Sequence, residues 1–181
     1  MKIRRTLVSL AVAAVALAGC TEASQAPLAP TAPARVLGSG IDVSGLLQFV
    51  GAPSLGGTRH AEKLITAAAG GFVELNGFRV DIPAGALPYD ATVTIDLPSD
   101  AVLAKRVMAE FGPHGIQFNQ PVTISFPLTG VLLSGGAVEV ARWEDDHWEG
   151  LGGWTSGGGT RLNGTTPHFS YYGGKYIMAG G

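Results

Sequence analysis

Two runs constrain the fold of this chain more than anything else in it. They are Asp81-Ile82-Pro83-Ala84-Gly85-Ala86-Leu87 and Phe111-Gly112-Pro113-His114-Gly115-Ile116-Gln117-Phe118-Asn119-Gln120-Pro121-Val122. Each carries an apolar strand into a Pro/Gly turn, and an alternating strand follows. Proline has no N–H to give to a sheet, and glycine reaches backbone angles closed to other residues. The runs therefore read as corners of a β-sandwich, not as a reaction centre. After the first, Val93, Ile95 and Leu97 alternate with Thr92, Thr94 and Asp96. After the second, Val122, Ile124, Phe126 and Leu128 alternate with Thr123 and Ser125. A period of two marks a strand with one face buried and one face wet.

The same pattern runs on from about Ala61. Residues 63–66, 72–75 and 78–82 are expected strands, with Asn76-Gly77 as a two-residue hairpin turn. Residues 102–111 read as strand, although Leu103, Val107 and Phe111 also have helical spacing. Strands are expected again at 115–118, 121–128, 137–143, 147–151, 160–166 and 169–178, with 152–159 as a Gly-rich loop around Trp154. Charged residues make up only 14% of the 181, against 27 Gly and 11 Pro, which suits tight β-turns better than a helical bundle. The expected fold is all-β: an antiparallel β-sandwich of roughly ten strands over residues 58–181.

The start of the chain carries an address. Lys2, Arg4 and Arg5 precede an apolar run over residues 7–18, broken only by Ser9 and ending in Leu17-Ala18-Gly19-Cys20. That run is too short to cross a bilayer as a mature helix, so it reads as a secretory signal. Leu-Ala-Gly-Cys resembles a bacterial lipobox, which implies that Cys20 is acylated and becomes the first mature residue. Two or more acyl chains hold a protein stably on a membrane where one does not. Asp at position 21 would resemble an inner-membrane retention signal, but the residue is Thr21. The expected location is the cell envelope, on the outer membrane where there are two.

Residues 21–35 are rich in Ala, Pro, Thr and Ser, with Pro27, Pro30 and Pro33 at regular spacing. They lack the apolar surface to fold and favour extended conformations, as a tether would. Residues 36–57 leave open a short strand, a helix or loose packing. The expected organisation is a signal peptide over 1–19, a lipid-anchored linker over 20–57 and the sandwich beyond. Cys20 is the only cysteine, so no intramolecular disulfide forms. Without Lys2, Arg4 and Arg5, nine basic residues face fourteen acidic ones, a net charge near −5. Phosphate neutralisation dominates nucleic-acid affinity, so nucleic acid is not an expected partner.

Three patterns in order resemble one module: Val80-Asp81-Ile82-Pro83-Ala84-Gly85-Ala86-Leu87, then Gly112-Pro113-His114-Gly115-Ile116-Gln117-Phe118 leading into Pro121-Val122-Thr123-Ile124, then His168-Phe169-Ser170-Tyr171-Tyr172. The stretch 63–172 is similar to the ZU-five domain of zonula occludens proteins, netrin receptors and ankyrins. The resemblance implies a β-sandwich that docks to a protein or to a neighbouring domain. No companion or death domain is recognisable before Gly181, so regulation of the receptor kind is not expected. Some members cut themselves at a His-Phe-Ser run. Here that implies attack by Ser170 on the carbonyl of Phe169, with His168 as base. The same run also has a structural use in the last strands.

Other chemistry is sparse. Glu144, Asp145, Asp146, His147 and Glu149 match no calcium loop and read as a solvated hairpin tip. His60, His114, His147 and His168 show no zinc spacing, and no nucleophile elbow or phosphate loop is present. No metal or cofactor is expected, and no enzyme activity beyond self-cleavage. Trp143, Trp148 and Trp154 are candidates for a sugar-stacking face, though such residues more often cover a core. The expected partners are the membrane through Cys20 and an envelope or extracellular protein, with a glycan as the alternative.

Overall fold

The computed structural model describes residues 41–51 and 57–177. Among these, eleven strands form two antiparallel sheets. They are β1 (His60–Ile65), β2 (Gly71–Leu75), β3 (Phe78–Ile82), β4 (Ala91–Asp96), β5 (Met108–Gly112), β6 (Gln117–Pro127), β7 (Val138–Glu144), β8 (His147–Gly152), β9 (Trp154–Ser156), β10 (Arg161–His168) and β11 (Tyr171–Tyr176). The first sheet has the order β1-β4-β5-β11-β7-β8, and the second β2-β3-β6-β10-β9. The all-β sandwich read from the sequence is the fold.

The core lies between the sheets and follows the alternation. Val93 and Ile95 of β4 and Val122, Ile124 and Phe126 of β6 are fully buried. Phe126 packs edge-on against Phe78 at 5.9 Å and Phe111 at 6.0 Å, and Phe111 against Tyr172 at 6.1 Å. Such edge-to-face stacks add directional preference to the buried area. The β2–β3 hairpin turns at Asn76-Gly77, with φ of 51° and 87°. The β7–β8 turn uses Asp145 and Asp146 at φ of 47° and 61°. The two corner runs meet: Asn119 donates to Gly85 O at 3.1 Å, Gln120 to Ala84 O at 2.7 Å, and the Asn119 amide to Ala86 O at 2.8 Å.

Four details depart from the sequence reading. Residues 102–111 are not one strand: a 3₁₀ turn at Leu103–Lys105 precedes β5. Residues 115–118 and 121–128 are not two strands, because β6 runs on through Pro121. The β6–β10 register passes from Thr166↔Val122 to His168↔Gln117 across a bulge, so Pro121 falls where no ladder partner asks for its missing N–H. The Gly-rich stretch around Trp154 contains β9, paired to β10.

The fourth is the largest. Residues 41–51, expected within the linker, are part of the domain. β5 and β11 stay bonded as far as Val107 and Gly174, then diverge. Residues 45–49 fill the fork as a V with Leu47 at its apex. One arm pairs Leu46 with Lys175; the other pairs Gln48 with Arg106 and Phe49 with Val131. Leu46, Leu47 and Phe49 are all buried. Backbone groups of a split sheet must be satisfied, and this segment satisfies them. Gly173 and Gly174 make the room. A Cβ on Gly173 would lie 3.2 Å from Leu46 Cδ2, and one on Gly174 would lie 2.8 Å from Leu47 Cδ1.

Candidate functional site

The chemistry singled out in the sequence converges on the β10–β11 corner. The bulge at Thr166–His168 turns the chain out of one sheet, and β11 carries it into the other. Phe169 anchors the corner, buried and edge-on to Phe118 at 4.7 Å. Above it, the His168 carbonyl is clamped by two hydroxyls. Tyr172 Oη donates to it at 2.7 Å, and Thr166 Oγ1 lies 2.8 Å from it and 2.5 Å from Tyr172 Oη. Burial pushes the Tyr172 hydroxyl up to about 12, so it stays protonated and able to donate.

His168 has both ring nitrogens engaged. Arg142 Nη1 lies 2.6 Å from Nε2, and Phe169 O lies 3.1 Å from Nδ1. A guanidinium only donates, so Nε2 accepts and the ring proton is assigned to Nδ1, which donates to Phe169 O. That oxygen belongs to the peptide bond between Phe169 and Ser170. Arg142 is held in turn by Glu144 and, at 2.6 Å, by Glu149. Ser170 Oγ points to Trp143 O at 3.4 Å. In this geometry the His168 ring faces Arg142 and the Phe169 carbonyl, while Ser170 Oγ is turned to Trp143 O.

Ser170 lines a depression of about 320 Å³ with His114, Trp143, Glu144, Asp145, Asp146 and Tyr171. The second corner run supplies His114, whose Nε2 lies 3.3 Å from Glu110 and whose ring meets Tyr171 edge-on at 5.5 Å. Glu110 faces Asp96 directly across the β4–β5 ladder. Desolvation raises its pKa, and the Asp96 charge adds to that against an opposing Tyr171 hydrogen bond. Asp96 also holds His60 at 2.7 Å, which raises the imidazole above its ordinary range.

The three tryptophans do not share a face. Trp148 is buried and donates Nε1–H to Asp42 O at 2.5 Å; Trp143 packs on it at 5.3 Å, and both lie on β7–β8. Trp154 is 49% exposed on β9 of the other sheet. Of the acidic tip, Glu144 and Glu149 neutralise Arg142. Among the described residues, no group of three or more His, Cys, Asp or Glu is placed to hold a metal ion. Cys20, the signal peptide and the tether lie outside the described residues.

Sequence reasoning missed Arg142 and the Thr166–Tyr172 clamp. Nothing near Arg142 in the chain points to a histidine 26 positions away. The paired glycines at 173 and 174 did carry a signal, since glycine inside a strand often marks a close backbone approach. No protein-family model matches the chain, and no curated protein matches it.

Proposed function

We propose that the protein is a cell-envelope lipoprotein, held by acylated Cys20, that displays this sandwich as a protein-docking or structural module. The observation that carries the docking reading is the seam where the two sheets' open edges run side by side. Among the described residues, β1 and β2 each lack a neighbour on one side. On β2, Phe72 is 44% exposed, with Lys63 Nζ at 5.0 Å and Arg79 at 3.8 Å from its ring centre. Leu64 of β1 is 64% exposed. Exposed apolar side chains on open edges suit an extended partner segment that adds to a sheet edge. The ZU-five-like motifs support the same reading. A photo-crosslinker at position 72 should yield one defined adduct in the envelope; adducts no different from those of a crosslinker at exposed His147, on the far edge strand β8, would overturn docking. Cys20→Ala should move the protein out of the membrane fraction, and unchanged fractionation would refute the anchor.

A second reading is favoured by the His168 Nδ1–Phe169 O contact. In it, Ser170 Oγ adds to the Phe169 carbonyl carbon, the hydroxyl proton passes through a water in the depression to the Ser170 nitrogen, and the carbon–nitrogen bond breaks. The result is an ester and a free Ser170 amine, and water then opens the ester to a Phe169 carboxylate. His168 supplies the hydrogen bond that the developing oxyanion strengthens, and the depression beside Ser170 admits the water. Intact mass under denaturing conditions tests it. Two fragments meeting at Phe169–Ser170, absent from Ser170→Ala, support cleavage; a single full-length mass rejects it.

A further inference from the structure

Nine large apolar side chains are exposed among the described residues, and five of them gather at one end of the sandwich. They are Val50, Val102, Leu132, Leu133 and Ile177, each between 44% and 69% exposed. This is the end where β5 and β7 begin and β6 and β11 finish. Hydrogen bonds hold their segments together. Val50 N donates to Gly130 O at 2.7 Å, and Leu132 N to Gln48 O at 3.0 Å. Phe49 N donates to Lys105 O at 3.0 Å, and Lys105 N to Val102 O at 3.3 Å. Tyr176 Oη donates to Leu132 O, and Ile177 N to Ala137 O at 2.9 Å. Across the antiparallel Phe49↔Val131 pair, Val50 and Leu132 share the face opposite the buried Phe49. The charge here is one-sided. Lys105 and Arg106 stand in the patch, and neither is ion-paired among the described residues. Asp100, the carboxylate closest along the chain, accepts from the Val102 and Leu103 amides at 2.8 and 3.0 Å. The opposite end, where β7 finishes and β11 begins, carries Glu144, Asp145 and Asp146 beside Arg142.

We propose that this end rests on a lipid surface. Its apolar tips enter the interface, Lys105 and Arg106 sit at the level of anionic headgroups, and the acidic end with the Ser170 depression points away into water. Two arguments favour lipid as the occupant. Apolar side chains with cations at their margin match an anionic bilayer, where the tips lose water and the charges meet phosphate. The acidic residues collect at the far end, so the same surface that attracts one end repels the other. The proposal rests on the anchored-lipoprotein reading above. Such a contact is weak alone, as even a single myristoyl chain is. Held by a tether, it has only to orient a domain already at the membrane. Residues 21–40 separate Cys20 from Ile41, and a stretch of that length reaches at most about 70 Å. That reach lets either end of the sandwich turn to the bilayer, so the contact and not the tether sets the orientation.

Paramagnetic broadening from the lipid decides it. The ¹⁵N-labelled chain from Cys20 onward is coupled through that thiol, the only one in the sequence, to a maleimide-headgroup lipid. The lipid sits in nanodiscs of phosphatidylethanolamine and phosphatidylglycerol that also carry a nitroxide-labelled lipid. Amides of Val50, Val102, Gly130, Leu132 and Ile177 should broaden several-fold more than those of Asp145, Asp146 and His147 at the opposite tip. Leu132→Asp should remove most of that excess. Lys105→Glu should reduce it in these discs and leave it unchanged in uncharged phosphatidylcholine discs. Each variant's own spectrum reports whether it is folded, and Leu132→Gln replaces Leu132→Asp if the charge disturbs the loop. Broadening that is even over the domain, as expected of an end kept for a protein partner, overturns the proposal. So does broadening centred on the acidic tip or on residues 41–43, where the tether joins, or an excess indifferent to both substitutions. Because the anchor is attached chemically, failure here counts against this face alone, whereas failed acylation shows separately as unchanged fractionation of Cys20→Ala.

Discussion

Leu47→Ala tests whether residues 41–51 belong to the fold or to a tether. Leu47 is 0% exposed, and its neighbours at the apex are Gly174 and Leu162. Truncating a buried leucine costs about 2–5 kcal/mol, the transfer loss plus a cavity term that shrinks when neighbours relax inward. Gly174 has no side chain to move into the space, so the cost should lie in the upper half of that range. With a urea m-value of roughly 1–3 kcal/mol/M, the unfolding midpoint should fall by at least about 1 M. The complementary change sharpens the test. A Cβ on Gly174 would meet Leu47 Cδ1 at 2.8 Å, so Gly174→Ala alone should also destabilise. Leu162 Cδ2, at 3.2 Å, need give only a few tenths of an ångström. In Leu47→Ala the new methyl enters the cavity, and the double variant should be more stable than the sum of the singles predicts by about 1–3 kcal/mol. Leu64→Ala, at an exposed position, should stay within about 0.5 kcal/mol of the parent. A Leu47→Ala midpoint matching that of Leu64→Ala, or strict additivity with Gly174→Ala, would refute the packing argument.

Three further outcomes follow from the same geometry. Glu110 and His60 both have raised pKa values in the fold, so both favour the protonated state. Their contribution is full below the ordinary pKa of each group, about 4.3 for Glu and 6.5 for His, and is lost as pH climbs through the raised folded values. Thermal melts should therefore show falling stability from mildly acidic to alkaline pH, with Glu110→Gln flattening the acidic part; a curve rising with pH in both proteins would contradict this. Tyr172→Phe removes one of the two hydroxyls on His168 O and should cost about 1–3 kcal/mol in urea unfolding, and a neutral result would mean that Thr166 suffices. Trp148→Ala loses a buried ring and its bond to Asp42 O and should cost about 3–5 kcal/mol, while Trp154→Ala should be near neutral; equal effects would overturn the assignment of Trp148 to the core.

Much of the fold is legible in the residues because its causes are local. Asn76-Gly77 carries its own turn, and the alternation at 91–97 and 122–128 states which face is buried. The reading fails where a distant partner decides. Pro121 suggests a break, yet β6 runs through it because the bulge in β10 removes the demand for its N–H. The stretch 152–159 has loop composition, yet β10 offers an edge and β9 forms on it. Of the candidate site, His168, Phe169 and Ser170 are adjacent in the chain and visible together. What the histidine does is not, because its role depends on Arg142 from β7 and on the Phe169 carbonyl.

By itself the sequence determined the β class, the turn positions, the inward faces of the strands and a basic–apolar–cysteine start, all properties of neighbours along the chain. Only the tertiary structure decided that Leu46 and Leu47 close on Gly173 and Gly174, that His168 faces Arg142, and that Trp148 is a core residue. The physical reason is separation. Side-chain alternation and turn angles are set within a few residues, whereas the segment that fills the fork is bonded to residues 60 positions away at Val107 and 127 away at Gly174.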